Sequence, residues 1–228
     1  IDYCWRSGIK HDASKIMEFK IIDGKLVNGF GEIVEIEDEF LFPLLKSSDI
    51  ANGRSRHRKF VLVIQRNTSD DTRQIAVSAP KTWDYLNRYS TILNNRKSSI
   101  YKNRPQYSIF GVGPYSFSKW KIAISGLYKR INFIIIPPSN GRPVMIDDTC
   151  YSISCASEKE AKLLHELLCS KPCIEFLKSL MFEDAKRPIT VDILQRISIV
   201  QLSIKLGRFT ELEPYVTEIP FDYTNNAV

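Results

Sequence analysis

Ser157-Glu-Lys-Glu-Ala-Lys-Leu-Leu-His-Glu-Leu-Leu-Cys-Ser-Lys-Pro-Cys173 is where the chain changes character from strand-like to helix-like. A serine followed three positions later by glutamate is a capping box, because each side chain can satisfy a backbone N–H that the helix start leaves unpaired. It predicts a helix over 158–169 with Ala161, Leu164, Leu167 and Leu168 turned inward. Ser170 and Pro172 open a second helix over 172–182, with Cys173, Phe176, Leu177, Leu180 and Met181 as its apolar stripe. The short connection makes the pair an antiparallel α-helical hairpin. Thr190 caps a short third helix and Gly207 ends a fourth.

Upstream of this switch the signals are those of strands. Asp23-Gly24 lies between KII and KLV, a two-residue hairpin signal, and Asn140-Gly141 lies between FIII and PVMI in the same way. Glu32–Ile36 alternates as a half-buried strand should, Phe60–Gln65 reads as a buried strand, and residues 119–125 alternate with Trp120, Ile122 and Ile124 inward. Pro80 opens a helix through Asn94, with Trp83, Leu86, Ser90 and Leu93 at helical spacing. The fold class expected is α+β: an irregular β-rich body over 1–155, then a helical region over 156–228 packed on it. The two regions are read together as one recognition domain.

The net charge of +6 is unevenly spread. Residues 54–130 carry 16 Lys/Arg against 3 Asp/Glu, whereas the remainder carries 16 against 23. Between Asp84 and Asp147 there are 62 positions without an acidic residue, where an even spread would place about seven. Solvated faces ordinarily mix signs, so a one-sign stretch points to a polyanionic partner. Within it, Arg96–Arg130 interleaves eight Lys/Arg with Tyr101, Tyr107, Phe110, Tyr115, Phe117, Trp120 and Tyr128. Lys and Arg neutralise phosphates, aromatic rings stack on bases, and Arg reads guanine with two hydrogen bonds. The expected DNA contacts are Arg96, Lys97, Lys102, Arg104, Lys119, Lys129 and Arg130, with Tyr107, Tyr115 and Phe117 as apolar or stacking contacts.

Other chemistry finds little support. Cysteines 4, 150, 155, 169 and 173 form no CxxC pair and read as reduced thiols of a cytoplasmic protein rather than a zinc site. The histidines 11, 57 and 165 are scattered, and no sequence-evident nucleophile accompanies them. Phe110-Gly-Val-Gly113 lacks the strand, helix and ribose-binding acid of a nucleotide loop, and reads as a tight turn or a phosphate cradle. Ile136-Pro-Pro-Ser139 lacks the polar residue and the ring of the Asn-Pro-Pro-Tyr turn that adenine methylation uses. Glu183-Asp184-Ala-Lys186 approaches a nuclease motif without a partner acid. The longest apolar run is too short to span a membrane. An opening Ile1 without a signal peptide reads as a piece of a longer polypeptide.

Eight segments, in order, resemble the C-terminal half of TaqI-like type II restriction-modification adenine methyltransferases. They are Trp5-Arg-Ser-Gly-Ile-Lys-His-Asp12, Pro43-Leu-Leu-Lys-Ser-Ser-Asp-Ile50, Ala79-Pro-Lys-Thr-Trp83 and Arg96-Lys-Ser-Ser-Ile-Tyr-Lys-Asn-Arg-Pro105. The others are Ser108-Ile-Phe-Gly-Val-Gly113, Lys121-Ile-Ala-Ile-Ser-Gly-Leu-Tyr-Lys129, Asp147-Asp-Thr-Cys-Tyr151 and Asp184-Ala-Lys-Arg-Pro-Ile-Thr190. Gly113-Pro-Tyr stands where the family has Gly-Asp-Tyr. The resemblance implies a bacterial target-recognition domain for double-stranded DNA with no catalytic residue, metal or cofactor of its own. It also implies an upstream domain of the same polypeptide that binds S-adenosylmethionine and methylates adenine N6. Ser48, Asp49, Asp184, Lys186 and Arg187 match the family, either for function or as turn-capping and loop residues. Residues 45–50 and the late hairpin are also similar to specificity subunits of type I restriction systems, which is the alternative reading. Whether the whole protein also cleaves DNA is left open.

Overall fold

The computed structural model describes residues 3–182 and 184–216. Its strands in chain order are β1 (Arg6–Ser7), β2 (Glu18–Ile22), β3 (Lys25–Val27), β4 (Leu41–Leu45), β5 (Lys59–Leu62), β6 (Trp120–Ser125), β7 (Ile134–Ile136), β8 (Met145–Ile146) and β9 (Cys150–Cys155). The helices are α1 (Ser14–Met17), α2 (Ser47–Ala51), α3 (Ile75–Ser78), α4 (Pro80–Arg88), α5 (Ser90–Asn94), α6 (Glu158–Leu168), α7 (Lys171–Leu180), α8 (Val191–Leu194), α9 (Ile199–Lys205) and α10 (Phe209–Val216). The fold is mixed α+β, with two sheets and a helical C-terminal region.

One sheet has the order β1-β9-β6-β7 and is antiparallel throughout. All six residues of β6 pair with β9, including Ile122 with Ile153 and Ile124 with Tyr151. Ile122 and Ile124 face a core shared with Trp5, Leu164, Leu167 and Leu177. The opposite face of β6 is also buried, since Ala123 packs with Leu45, Ile50, Ile136 and Ile146. Alternation predicts a strand with one wet face; α2 and the second sheet cover the face that would have met water. The second sheet runs β3-β2-β5-β4-β8 and is antiparallel except that β8 joins β4 in parallel. Met17, Phe19, Leu44, Leu62, Leu86 and Tyr107 belong to its core.

The capping box forms in part. The Ser157 hydroxyl accepts from the Glu160 amide at 3.2 Å, while the Glu160 carboxylate turns to the Ala156 amide and the Tyr3 hydroxyl. Thr190 caps α8 through the Ile193 amide, and Gly207 follows α9 with φ +68°. Cys169-Ser170 links α6 to α7, and Cys173 and Leu177 are buried as expected. Phe176 is 41% exposed instead.

Three expectations change at turns. Asp23-Gly24 does close a hairpin, with both φ angles positive. Asn140-Gly141 makes the same kind of turn, but only Ser139 and Arg142 bridge across it. Its arms then part, β7 to one sheet and β8 to the other. Glu32–Ile36 does not extend as a strand: the Asn28 side chain accepts from the amides of Phe30 and Glu32 in the turn before it, and the segment pairs with β3 only through a single Val27–Ile33 bridge. The helix expected over 80–94 breaks at Tyr89, whose ring stacks on Phe30.

The chain crosses between the sheets at Gly8. Its amide donates to Cys150 O at 3.0 Å and the Ile9 amide to Ile146 O at 2.8 Å, while Lys10 exchanges two hydrogen bonds with Phe110. A Cβ at Gly8 would lie 2.2 Å from Ile146 O, and one at Gly111 would lie 2.0 Å from Gly8 O. Gly111 also has φ +66°. By contrast, Gly24 has φ +75° with nothing within 4 Å of its missing Cβ. Gly8→Ala should therefore lower stability by about 3 kcal/mol, the upper end for overpacking. Gly24→Ala should cost about 1 kcal/mol from its left-handed backbone alone. Urea midpoints at unchanged slope measure the difference.

Candidate nucleic-acid interface

Two of the matched segments, 5–12 and 43–50, meet at a buried carboxylate that lies outside them. Glu18, at the start of β2, accepts from Lys46 and Lys59 at 2.7 Å each and faces His11 Nε2 at 3.4 Å. His11 Nδ1 accepts from the Ala13 amide, which leaves the ring proton on Nε2 to point at Glu18. Burial alone would raise the Glu18 pKa, but the bonds from His11, Lys46 and Lys59 outweigh it and hold the group far below the usual carboxylate range. Lys46 also reaches Asp147 at 3.2 Å. Asp147 in turn accepts from the Thr149 amide and hydroxyl. Asp148 pairs with Lys10 at 3.7 Å and with Arg187 at 3.6 Å. One polar network thus ties residues 10–18, 46, 59, 147–149 and 187 together.

Two expected contacts are engaged inside the fold. The Arg96 guanidinium donates to the carbonyls of Leu93, His11 and Ser108 and lies 3.6 Å from the centroid of the Tyr101 ring. It is a tie for the 96–110 loop, not a free cation. Tyr107 is 2% exposed, with its hydroxyl donating to Asn87 and its ring against Trp83. No ring face is left there for a base. Arg104, Lys97 and Lys102, held on the loop that Arg96 anchors, are exposed and make no ion pair with a described residue, the Arg104 guanidinium carbon lying 5.6 Å from the centroid of the Phe110 ring. Lys119, Lys129 and Arg130 are likewise exposed and make no ion pair with a described residue. Tyr115 and Phe117 are half-buried, covered by Arg6 and Arg66, whose guanidinium carbons lie 5.6 and 4.1 Å from the respective ring centroids.

The family-matched residues divide similarly. Asp49 accepts from the Lys46 amide and pairs with Arg54 at 3.4 Å, closing the start of α2. Ser48 is exposed, and its carbonyl accepts from the Asn52 side chain. Arg187 holds Asp148, whereas Asp184 and Lys186 are exposed. Glu183 of the nuclease-like motif lies outside the described residues. The Gly111-Val-Gly113 turn offers no nucleotide cradle: Gly111 is filled by the Gly8 backbone and Gly113 by the Tyr115 ring.

Sequence reading passes over two features. Glu18 and its partners are 28 and 41 residues apart along the chain and form no local motif. Arg56 and Arg58 are exposed and make no hydrogen bond or ion pair with a described residue; their signal lies in the acid-free run Arg54-Ser-Arg-His-Arg-Lys59. Lys121 is the reverse case, a basic residue 2% exposed that donates to Ser118 O and Val144 O. Burial pushes its amine down to about 7.

No family model matches the chain. Over 200 residues it is 45% identical to the type II methyltransferase M.NspV of Nostoc sp. (strain ATCC 29411 / PCC 7524), an alignment covering 87% of the chain and 42% of that relative. The chain is therefore a homologue of a type II methyltransferase over most of its length, as the matched segments imply, and spans about two-fifths of that relative. In fold it is similar to the solved Type IIL restriction-modification enzyme MmeI in complex with DNA, with a TM-score of 0.53 over 95% of the chain and 28% of that enzyme. At 11% identity it is the fold that is shared. Among the described residues no helix is long and apolar enough to cross a membrane, and no group of three His, Cys, Asp or Glu could hold a metal ion.

Glu18→Gln should lower stability by about 3 kcal/mol at neutral pH, the low end for breaking a buried pair, because the two lysines keep some contact with water. A carboxylate with a depressed folded-state pKa contributes fully above about pH 4.5, and that contribution is lost as pH falls toward the folded value. Acid melts should therefore show the wild-type protein losing its advantage over Glu18→Gln below pH 4.5. Lys121 works in the opposite sense. Between pH 7 and 10.5 the unfolded chain binds more protons there than the folded one, so stability rises with pH across that window. Thermal melts of Lys121→Met across this range should lack that rise.

Proposed function

We propose that this chain is the target-recognition region of a restriction-modification DNA methyltransferase and binds duplex DNA by sequence. The observation that carries the reading is the set of exposed cations without ion pairs to described residues (Lys97, Lys102, Arg104, Lys119, Lys129 and Arg130) on a chain 45% identical to a type II methyltransferase. Such groups remain available to phosphate oxygens, and releasing the counterions condensed on DNA drives binding. The fold shared with a restriction-modification enzyme solved on DNA supports the same partner. Tyr115 and Phe117 keep part of each side chain exposed, and Ser48 and Lys186 are exposed near the network that joins the matched segments.

The methyl donor, S-adenosylmethionine, is held in this reading by a catalytic domain elsewhere in the same cytoplasmic polypeptide. That domain extrudes an adenine and methylates N6. The residues described here do not take part in methyl transfer; they position the duplex and select the site. Phosphate contacts fix register and base contacts fix sequence.

Lys97→Ala, Lys102→Ala and Arg104→Ala, combined in the complete natural polypeptide, should flatten the plot of log affinity against log salt. The expected change is about three units, at about 0.9 for each phosphate no longer neutralised, and all sequences should weaken alike. Fluorescence anisotropy with labelled duplexes over a salt series measures it. An unchanged slope and affinity would place the DNA surface elsewhere.

A further inference from the structure

A second cluster on the molecule combines free cations with exposed apolar side chains. The loop after α2 carries Arg56 and Arg58, and the loop after β6 carries Leu127, Tyr128, Lys129 and Arg130. The two loops are neighbours at their roots. Asn132 Nδ2 donates to Ile50 O at 3.2 Å and to Ala51 O at 3.3 Å, and the position of a Gly53 Cβ lies 3.7 Å from the same nitrogen. Beneath them the hydroxyls of Ser47 and Ser125 are hydrogen-bonded to each other.

At the tip of the second loop, Leu127 is 39% exposed and Tyr128 41% exposed beside Lys129 and Arg130; His57, between Arg56 and Arg58 on the first loop, reaches Ser139 at 3.4 Å, and none of the four cations makes an ion pair with a described residue. Asp49, at the start of α2, is already engaged by Arg54. Gly126, at the root of the second loop, has no room for a side chain: a Cβ would meet the Tyr151 ring at 2.7 Å and Ile189 O at 3.0 Å. The tip is thus carried on a fixed base. An apolar pair alone would be an ordinary surface feature, and cations alone an ordinary solvated face. Together they match a duplex, whose base edges are flanked by phosphates on both sides.

We infer that these two loops form a second DNA-contact element, distinct from the 96–104 loop, in which Arg56 and Arg58 grip phosphates and Leu127 and Tyr128 meet base edges or an opened base step. This rests on the reading of the chain as a DNA-binding region and names two residues of each kind not otherwise assigned.

The test uses the complete natural polypeptide and a pool of fluorescein-labelled random-sequence duplexes across a KCl series. Arg56→Ala/Arg58→Ala should flatten the log–log salt slope by about two units. Leu127→Ala/Tyr128→Ala should weaken binding about tenfold with the slope unchanged, because every phosphate-binding cation is still in place. Lys178→Ala/Lys205→Ala, exposed on α7 and α9, removes the same charge elsewhere and should leave the slope in place. Unchanged melting temperatures confirm that each variant folds. If the 97/102/104 triple change flattens the slope and the 56/58 change does not, the second element is wrong and the DNA-binding reading stands. If neither does, both fall. Equal flattening by the Lys178/Lys205 control would reduce the effect to net charge and sink the inference. An unaltered affinity in the Leu127/Tyr128 variant would remove the apolar tip from the interface.

Discussion

Taking a carboxylate out of water is costly unless cations and hydrogen-bond donors replace the lost hydration. Glu18 meets that condition only when four stretches of chain arrive together: β2 that carries it, the 10–12 turn, the end of β4 and the start of β5. Lys46 extends the network to Asp147, whose neighbour Asp148 holds Arg187 and Lys10. The two sheets and the loop before α8 are therefore registered against one another by charge as well as by apolar packing. Partial satisfaction would be worse than an apolar core, so the network favours a single arrangement of the surface loops it anchors.

The glycine crossing complements this network. Backbone meets backbone where Gly8 passes Ile146 and Gly111, at distances no side chain could tolerate. Arg96 then fixes the loop downstream by donating to three carbonyls. Cations that face solvent, such as Lys97 and Arg104, are in this way borne on a rigid frame. The frame takes up some of the positive charge that, in sequence, looks identical to the charge left free.

Local chemistry was legible in the sequence and long-range partnership was not. The caps of α6 and α8, the two Asx-Gly turns and Pro80 at the start of α4 depend on residues within four positions of one another, and the structure has them. The divergence of β7 and β8 after a correctly read turn depends on which sheet each arm joins, and no local pattern encodes that. The same limit explains Arg96 and Tyr107. Both sit in a basic, aromatic segment, yet the His11 carbonyl, 85 residues from Arg96, and the Asn87 side chain, 20 residues from Tyr107, draw them away from the surface. Ala123 alternates correctly with Ile122 and Ile124, but alternation does not reveal that α2 and a second sheet cover its face. Lys121 stands in a matched segment, and nothing beside it shows that its amine ends on two carbonyls inside the fold.

The parting of β7 and β8 bears on how the molecule assembles. β4 waits about a hundred residues for its parallel neighbour β8, and β1, at residues 6–7, pairs with β9 at 150–155. Contacts this distant in sequence require large loops to close before any stabilisation follows, so folding is expected to be slow for the chain's size. As the chain leaves the ribosome, β6 emerges with Trp120, Ile122 and Ile124 on one face and no β9 to pair with. That interval, rather than the finished structure, is when the protein is most exposed to aggregation and most dependent on chaperones.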